Sequence, residues 1–131
     1  VNWFENSSIL KIIKLAAEQG FKLVITTDHG MVYVKKPSQV VGDRETSTNI
    51  RYKTGKSLTY DEKDVWAITN PEKLFLPKGN LSSKYIFAKN NIFLAYPKNY
   101  NHFVNYYKDT YQHGGISLEE VIIPISILEP K

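Results

Sequence analysis

The chain has 131 residues, of which 42% are hydrophobic and 23% charged, with a formal net charge of +4 and no cysteine. That length fits one domain or a large piece of one, and no apolar run approaches the roughly 20 residues that a membrane-spanning helix needs, so a soluble, unanchored chain is expected. The absence of cysteine excludes a disulfide framework and a thiolate metal site, leaves histidine and carboxylate as the only metal ligands, and points to a cytoplasmic setting.

Val1-Asn2-Trp3-Phe4-Glu5 shows no basic segment leading into an apolar one, so no secretory signal is visible. Fifteen of the 17 cations are lysines scattered along the chain, with no basic stripe or interleaved aromatic cluster. A dedicated DNA-binding surface is therefore not expected.

Asn6-Ser7-Ser8 offers N-caps, and Ile9, Leu10, Ile12, Ile13, Leu15 and Ala16 recur at helical spacing, predicting an amphipathic helix over 8–19 closed by Gly20. Phe21 to Thr27 is a β-branched run that stops at Asp28-His29-Gly30, the order of a strand after its crossover helix in an α/β sheet. Met31–Lys36 and Gln39–Val41 flank Pro37-Ser38 as a hairpin, and polar, turn-rich Gly42–Lys56 reads as a loop. Asp64–Ile68 reads as a strand and Pro71 as a helix start, while Lys84–Ala88 and Ile92–Ala95 read as a second hairpin. Tyr100–Lys108 is predicted helical, Ser117–Glu120 is a short helical turn, and the apolar run Val121–Leu128 is predicted to be a strand buried on both faces. No repeat, linker or low-complexity tract interrupts the chain, so a second independent domain is not expected.

Neighbouring strand residues point to opposite faces, so Asp28 and His29 can converge only beyond the end of their strand, where Gly30 permits a turn and where open α/β sheets bind ligands. An oxygen donor followed by an imidazole suits zinc or manganese but falls short of the four or more ligands such an ion takes. On these residues alone a second reading stands beside the first, in which Asp28 accepts turn hydrogen bonds and His29 is a half-exposed imidazole. His113, in Gln112-His113-Gly114-Gly115, is the second glycine-marked histidine, whereas His102 lies at a helix start with no ligand company. Arg44 and Arg51, the only arginines, are candidate phosphate contacts because the guanidinium fork matches phosphate oxygens; surface ion pairing is the alternative.

Taken together, Ile25-Thr26-Thr27-Asp28-His29-Gly30, the loop from Gly42-Asp43-Arg44 to Lys56, and the long motif from Gln112-His113-Gly114-Gly115 to Ile123-Pro124 resemble the PglZ family of the alkaline phosphatase superfamily. Over its whole length the chain is similar to the C-terminal end of PorX-type response regulators, in which a receiver domain and a helical connector precede the PglZ domain. The resemblance implies a partial alkaline-phosphatase-like α/β fold, a sheet flanked by helices with a β-hairpin insertion, in which residues 1–131 form the C-terminal portion of one domain.

It further implies a site of two metal ions, usually zinc and with manganese as an alternative, in which Asp28 and His29 serve one ion and His113 its neighbour. The superfamily's threonine or serine nucleophile and remaining ligands precede the matched segment, so no catalytic nucleophile is assigned here, and neither Thr26 nor Thr27 occupies that place. The implied activity is hydrolysis of nucleotide or oligonucleotide phosphodiesters, coupled to dimerisation and control of a secretion system. The alternative from the same resemblance is a non-catalytic dimerisation or partner-docking module on this fold.

Overall fold

The computed structural model describes residues 1–44, 46–79 and 82–130. Glu45, inside the predicted loop, lies outside the described residues. In chain order the elements are α1 (Asn2–Glu5), α2 (Ser8–Glu18), β1 (Leu23–Thr26), β2 (Val32–Val34), β3 (Lys36–Gln39), β4 (Tyr52–Gly55), β5 (Val65–Ile68), a 3-10 turn (Pro71–Leu74), β6 (Lys84–Ala88), β7 (Ile92–Ala95), α3 (Tyr100–Tyr107), β8 (Thr110–Gln112), α4 (Leu118–Val121) and β9 (Ile125–Leu128). The fold is mixed α/β, and among the described residues no helix is long and apolar enough to cross a membrane. The chain divides into two units, one made of Val1–Asp28 with Ile123–Lys131 and the other of His29–Ile122.

In the first unit the Ser7 hydroxyl accepts the Leu10 N–H at 3.3 Å, meeting one of the orphan donors at the start of α2, and Gly20 follows the helix in a left-handed conformation (φ 72°). β1 and β9 pair antiparallel from Leu23↔Leu128 to Thr26↔Ile125. The Thr26 hydroxyl donates to the Pro124 carbonyl at 2.9 Å and fastens one end of this ribbon. The expected doubly buried strand is corrected here. All four residues of β9 are exposed, Val121 belongs to α4, and Pro124, which has no N–H to give to a ladder, stands just before β9.

The second unit is organised around β7, whose four residues are all buried. Because side chains alternate across a strand, Ile92 and Leu94 enter one core with Val40, Val65, Ile86 and Ala88, while Phe93 and Ala95 enter another with Val32 and Val34. The rule that an unbroken apolar run marks a doubly buried strand therefore holds for Ile92–Ala95. β7 runs parallel to β3, and β6 lies between β4 and β5, antiparallel to both.

Neither predicted hairpin forms. β2 pairs with β8 and β3 with β7, while β6 and β7 belong to different sheets although only Lys89, Asn90 and Asn91 separate them. Strand partners are chosen by which faces must be buried, which local turn chemistry does not report. The predicted loop over 42–56 also contains β4, in which Lys53 and Gly55 face inward.

Candidate metal centre

Two of the three histidines meet in the second unit. β2 and β8 pair antiparallel with Val32 opposite Gln112, so the chain entering β2 and the chain leaving β8 run side by side at the same end of the ladder. His29 approaches β2 there and His113 has just left β8. Their rings stack face to face, with centroids 3.7 Å apart and planes 12° from parallel. His29 is half-buried and His113 exposed.

His29 Nδ1 lies 2.8 Å from the Gly30 carbonyl oxygen, which can only accept, so Nδ1 is the donor of this contact. An Nδ1–H held by a backbone carbonyl is the arrangement that fixes the tautomer of metal-ligating histidines.

Glycine is required at both turns. The Gly30 N–H donates to the Glu120 carbonyl at 2.9 Å, and a Cβ on Gly30 would collide with the carbonyl oxygens of Glu119 and Ile122. Gly114 sits at φ +96°, a conformation L side chains rarely adopt, against the Asn49 amide.

Glu120 binds the two turns together. Besides the Gly30 bond to its carbonyl, its carboxylate accepts the N–H groups of Gly115 at 2.9 Å and Ser117 at 3.2 Å. The same carboxylate is gripped by Arg51, with Nε to Oε1 at 2.8 Å and Nη2 to Oε2 at 2.9 Å. Arg51 also donates to the carbonyls of Ile92 and Ala88. Burial acts to raise the Glu120 pKa, but the hydrogen bond and charge of Arg51, with help from Gly115 and Ser117, outweigh it and hold the carboxyl below its ordinary value.

This pairing corrects the reading of Arg51 as a phosphate contact. Its side chain has no exposed surface and its guanidinium is committed to Glu120 and two backbone carbonyls. Ion pairing was the alternative reading of Arg51, but at the surface; neither its burial nor Glu120 as its partner was anticipated, because buried charges are rare. The one signal was Ser117-x-x-Glu120, a capping-box pattern, whose reciprocal half is the Ser117 N–H bond.

Arg44 is exposed and lines a groove of about 570 Å³ with Asp43, Tyr96 and Lys98. His102 is exposed on α3 with its ring against Phe103. Asp28 is exposed, two residues past the end of β1, and closes the N-terminal segment of the first unit.

The donor set fits a metal in kind but not in number. Two imidazoles lie together, yet among the described residues no group of three or more histidines, cysteines, aspartates and glutamates is placed to hold an ion, which takes four or more ligands.

A mixed α/β chain carrying a stacked histidine pair at the end of a strand ladder is consistent with a phosphatase-type scaffold, and the family comparison agrees with that class. The profile of the BREX system PglZ alkaline phosphatase-like domain matches residues 5–127, and the chain belongs to that family. Alkaline phosphatase-like domains generally use metal ions. A search of curated proteins gave no match.

Proposed function

We propose that this chain is the C-terminal portion of the PglZ domain of a response regulator, and that the domain hydrolyses nucleotide or oligonucleotide phosphodiesters with zinc, manganese being the alternative ion. The observation that carries the reading is the His29–His113 stack in a chain of the PglZ family. Asp28 and His29 would hold one ion and His113 its neighbour. Two such ions, when bound, stabilise the attacking and leaving oxygens of an in-line displacement.

The chain's own residues then have separable tasks. His29 is oriented by the contact of its Nδ1 with the Gly30 carbonyl. Glu120 fixes the loop that carries His113, and exposed Arg44 is available to phosphate oxygens. Nothing in residues 1–131 is assigned as nucleophile, so the isolated chain should bind zinc weakly and turn over no substrate, since a partial ligand set forfeits most of the affinity. A cytoplasmic, homodimeric parent protein completes the reading.

The test uses the complete protein that carries this chain. It should bind zinc by calorimetry and cleave bis-p-nitrophenyl phosphate, and His113→Ala should abolish the cleavage. A complete protein that binds no zinc and cleaves no phosphodiester would overturn the proposal in favour of a non-catalytic dimerisation or docking module.

A further inference from the structure

Away from the histidine pair, the second unit holds a buried cation with no counter-charge among the described residues. Lys53 lies on β4, which pairs with β6 in the three-stranded sheet, and it is 1% exposed. Lysine is almost never fully buried unless paired. Arg51, two residues earlier, obeys that rule through Glu120. Among the described residues Lys53 has no ion pair, and the partner of its ammonium is the face of the Tyr96 ring, 4.1 Å to the centroid. A π face attracts the charge but satisfies none of the three N–H donors in the manner of an oxygen acceptor.

The same side chain lines a pocket of about 220 Å³. Ile50 and Leu94 form its aliphatic side, and Tyr96, Phe103 and Tyr107 its aromatic side. The aromatic walls are fixed. The Tyr96 hydroxyl donates to the Ser47 carbonyl at 2.8 Å, and Phe103 and Tyr107 stack on one another with planes 14° apart. Among the described residues no carboxylate lines the pocket, and the other titratable groups there are the phenols of Tyr96 and Tyr107.

We propose that this pocket is a binding site for a small aromatic carboxylate, whose ring lies against the aromatic walls and whose carboxylate pairs with the Lys53 ammonium. The size is adequate, because an apolar cavity of about 150 Å³ accepts benzene and this pocket has room for a carboxylate besides. The chemistry is matched as well. Mostly apolar walls with one charged group fixing orientation are what small-molecule sites present, and a bound anion removes the cost of leaving the lysine charge unpaired. Burial lowers the Lys53 pKa to about 8, so the ammonium is still mostly protonated at neutral pH and can receive an anion. The site is separate from the metal centre, since neither His29 nor His113 lines it.

The experiment is an NMR titration of the chain at pH 7 with benzoate, and with benzyl alcohol and inorganic phosphate as comparison probes. Benzoate should give saturable amide shifts at Ile50, Lys53, Leu94 and Phe103, with weaker responses to both comparison probes, and Lys53→Met should weaken benzoate binding at least tenfold. A second readout needs no variant. Following the Lys53 Nζ resonance with pH, saturation with benzoate should raise the titration midpoint from about 8, because a bound anion favours the charged amine. Benzyl alcohol or phosphate binding as tightly as benzoate, an unmoved Lys53 midpoint at saturation, or no saturable shift at all would each overturn the proposal.

Discussion

Arg51 and Glu120, 69 positions apart in the chain, form a two-pronged ion pair in which neither side chain is more than 1% exposed. Taking two charges out of water costs several kcal/mol per ion, and their attraction offsets this only when the remaining donors and acceptors are also satisfied. Here they are, because Gly115 and Ser117 complete the carboxylate and two backbone carbonyls complete the guanidinium. Removing one partner strands the other, so Glu120→Ala should cost about 3–5 kcal/mol in denaturant unfolding. Replacing both with apolar residues, as in Arg51→Met with Glu120→Leu, should recover much of that loss while the amides of Gly115 and Ser117 gain hydrogen exchange. Equal exchange at those amides in the double variant and the native chain would show that the carboxylate does not hold the His113 loop.

The same carboxylate sets an acid limit. Glu120 has a folded-state pKa below the ordinary 4.5 it takes when unfolded. A depressed carboxyl stabilises the fold fully above the unfolded value and loses that contribution as pH falls through the folded one. Stability of the native chain should therefore decline as pH drops below about 4.5, and Glu120→Gln, less stable at pH 7, should decline less steeply over that interval. Parallel acid limbs in the two chains would assign the loss to other carboxylates.

Lys53 works in the opposite direction. A buried amine whose folded pKa is about 8 against 10.5 unfolded is destabilising while charged, and the penalty is full below pH 8 and relieved as pH rises to 10.5. Lys53→Met should accordingly be more stable than the native chain at pH 7, by roughly 1–3 kcal/mol, and the advantage should shrink by pH 10.5. A native chain whose stability relative to Lys53→Met stays constant across that range would show that the ammonium is solvated.

What the sequence made legible, and what it did not, follows the range of the interactions. The α2 helix was readable because its apolar spacing and Ser7 cap are local, and β6 and β7 were readable as strands from their β-branched and aromatic runs. Their partners were not, since Ile92–Ala95 is paired with Lys36–Gln39 by the demand to bury both of its faces. The meeting of His29 and His113 was expected from the resemblance, and β2–β8 pairing gives its physical cause. Arg51–Glu120 escaped because each residue alone reads as solvent-facing, and only the fold reveals that each satisfies the other.

Gly30 tests how tightly the histidine turns are coupled to α4. A methyl group there meets the backbone oxygens of Glu119 and Ile122, which cannot rotate away as a side chain can. Gly30→Ala should cost about 1–3 kcal/mol in thermal unfolding and should also disturb the ring resonances of both His29 and His113. A loss of stability with both rings unperturbed would mean that the stack is set by the β2–β8 ladder alone.

The histidine pair itself makes the sharpest prediction for the isolated chain. If His29 and His113 are metal ligands, zinc added to the chain should broaden or shift both imidazole spectra together, because rings 3.7 Å apart share one environment. His29→Ala and His113→Ala should each weaken zinc binding by at least tenfold, in line with what disturbing even a ligand's supporting contacts costs. His102→Ala serves as the control, since that ring lies exposed on α3 against Phe103 and should leave the affinity unchanged. Loss of affinity in the His102 variant alone would remove the histidine pair from the metal reading, whereas loss in both of the others ties the ion to the end of the β2–β8 ladder, where Glu120 and Gly30 hold the two turns in place.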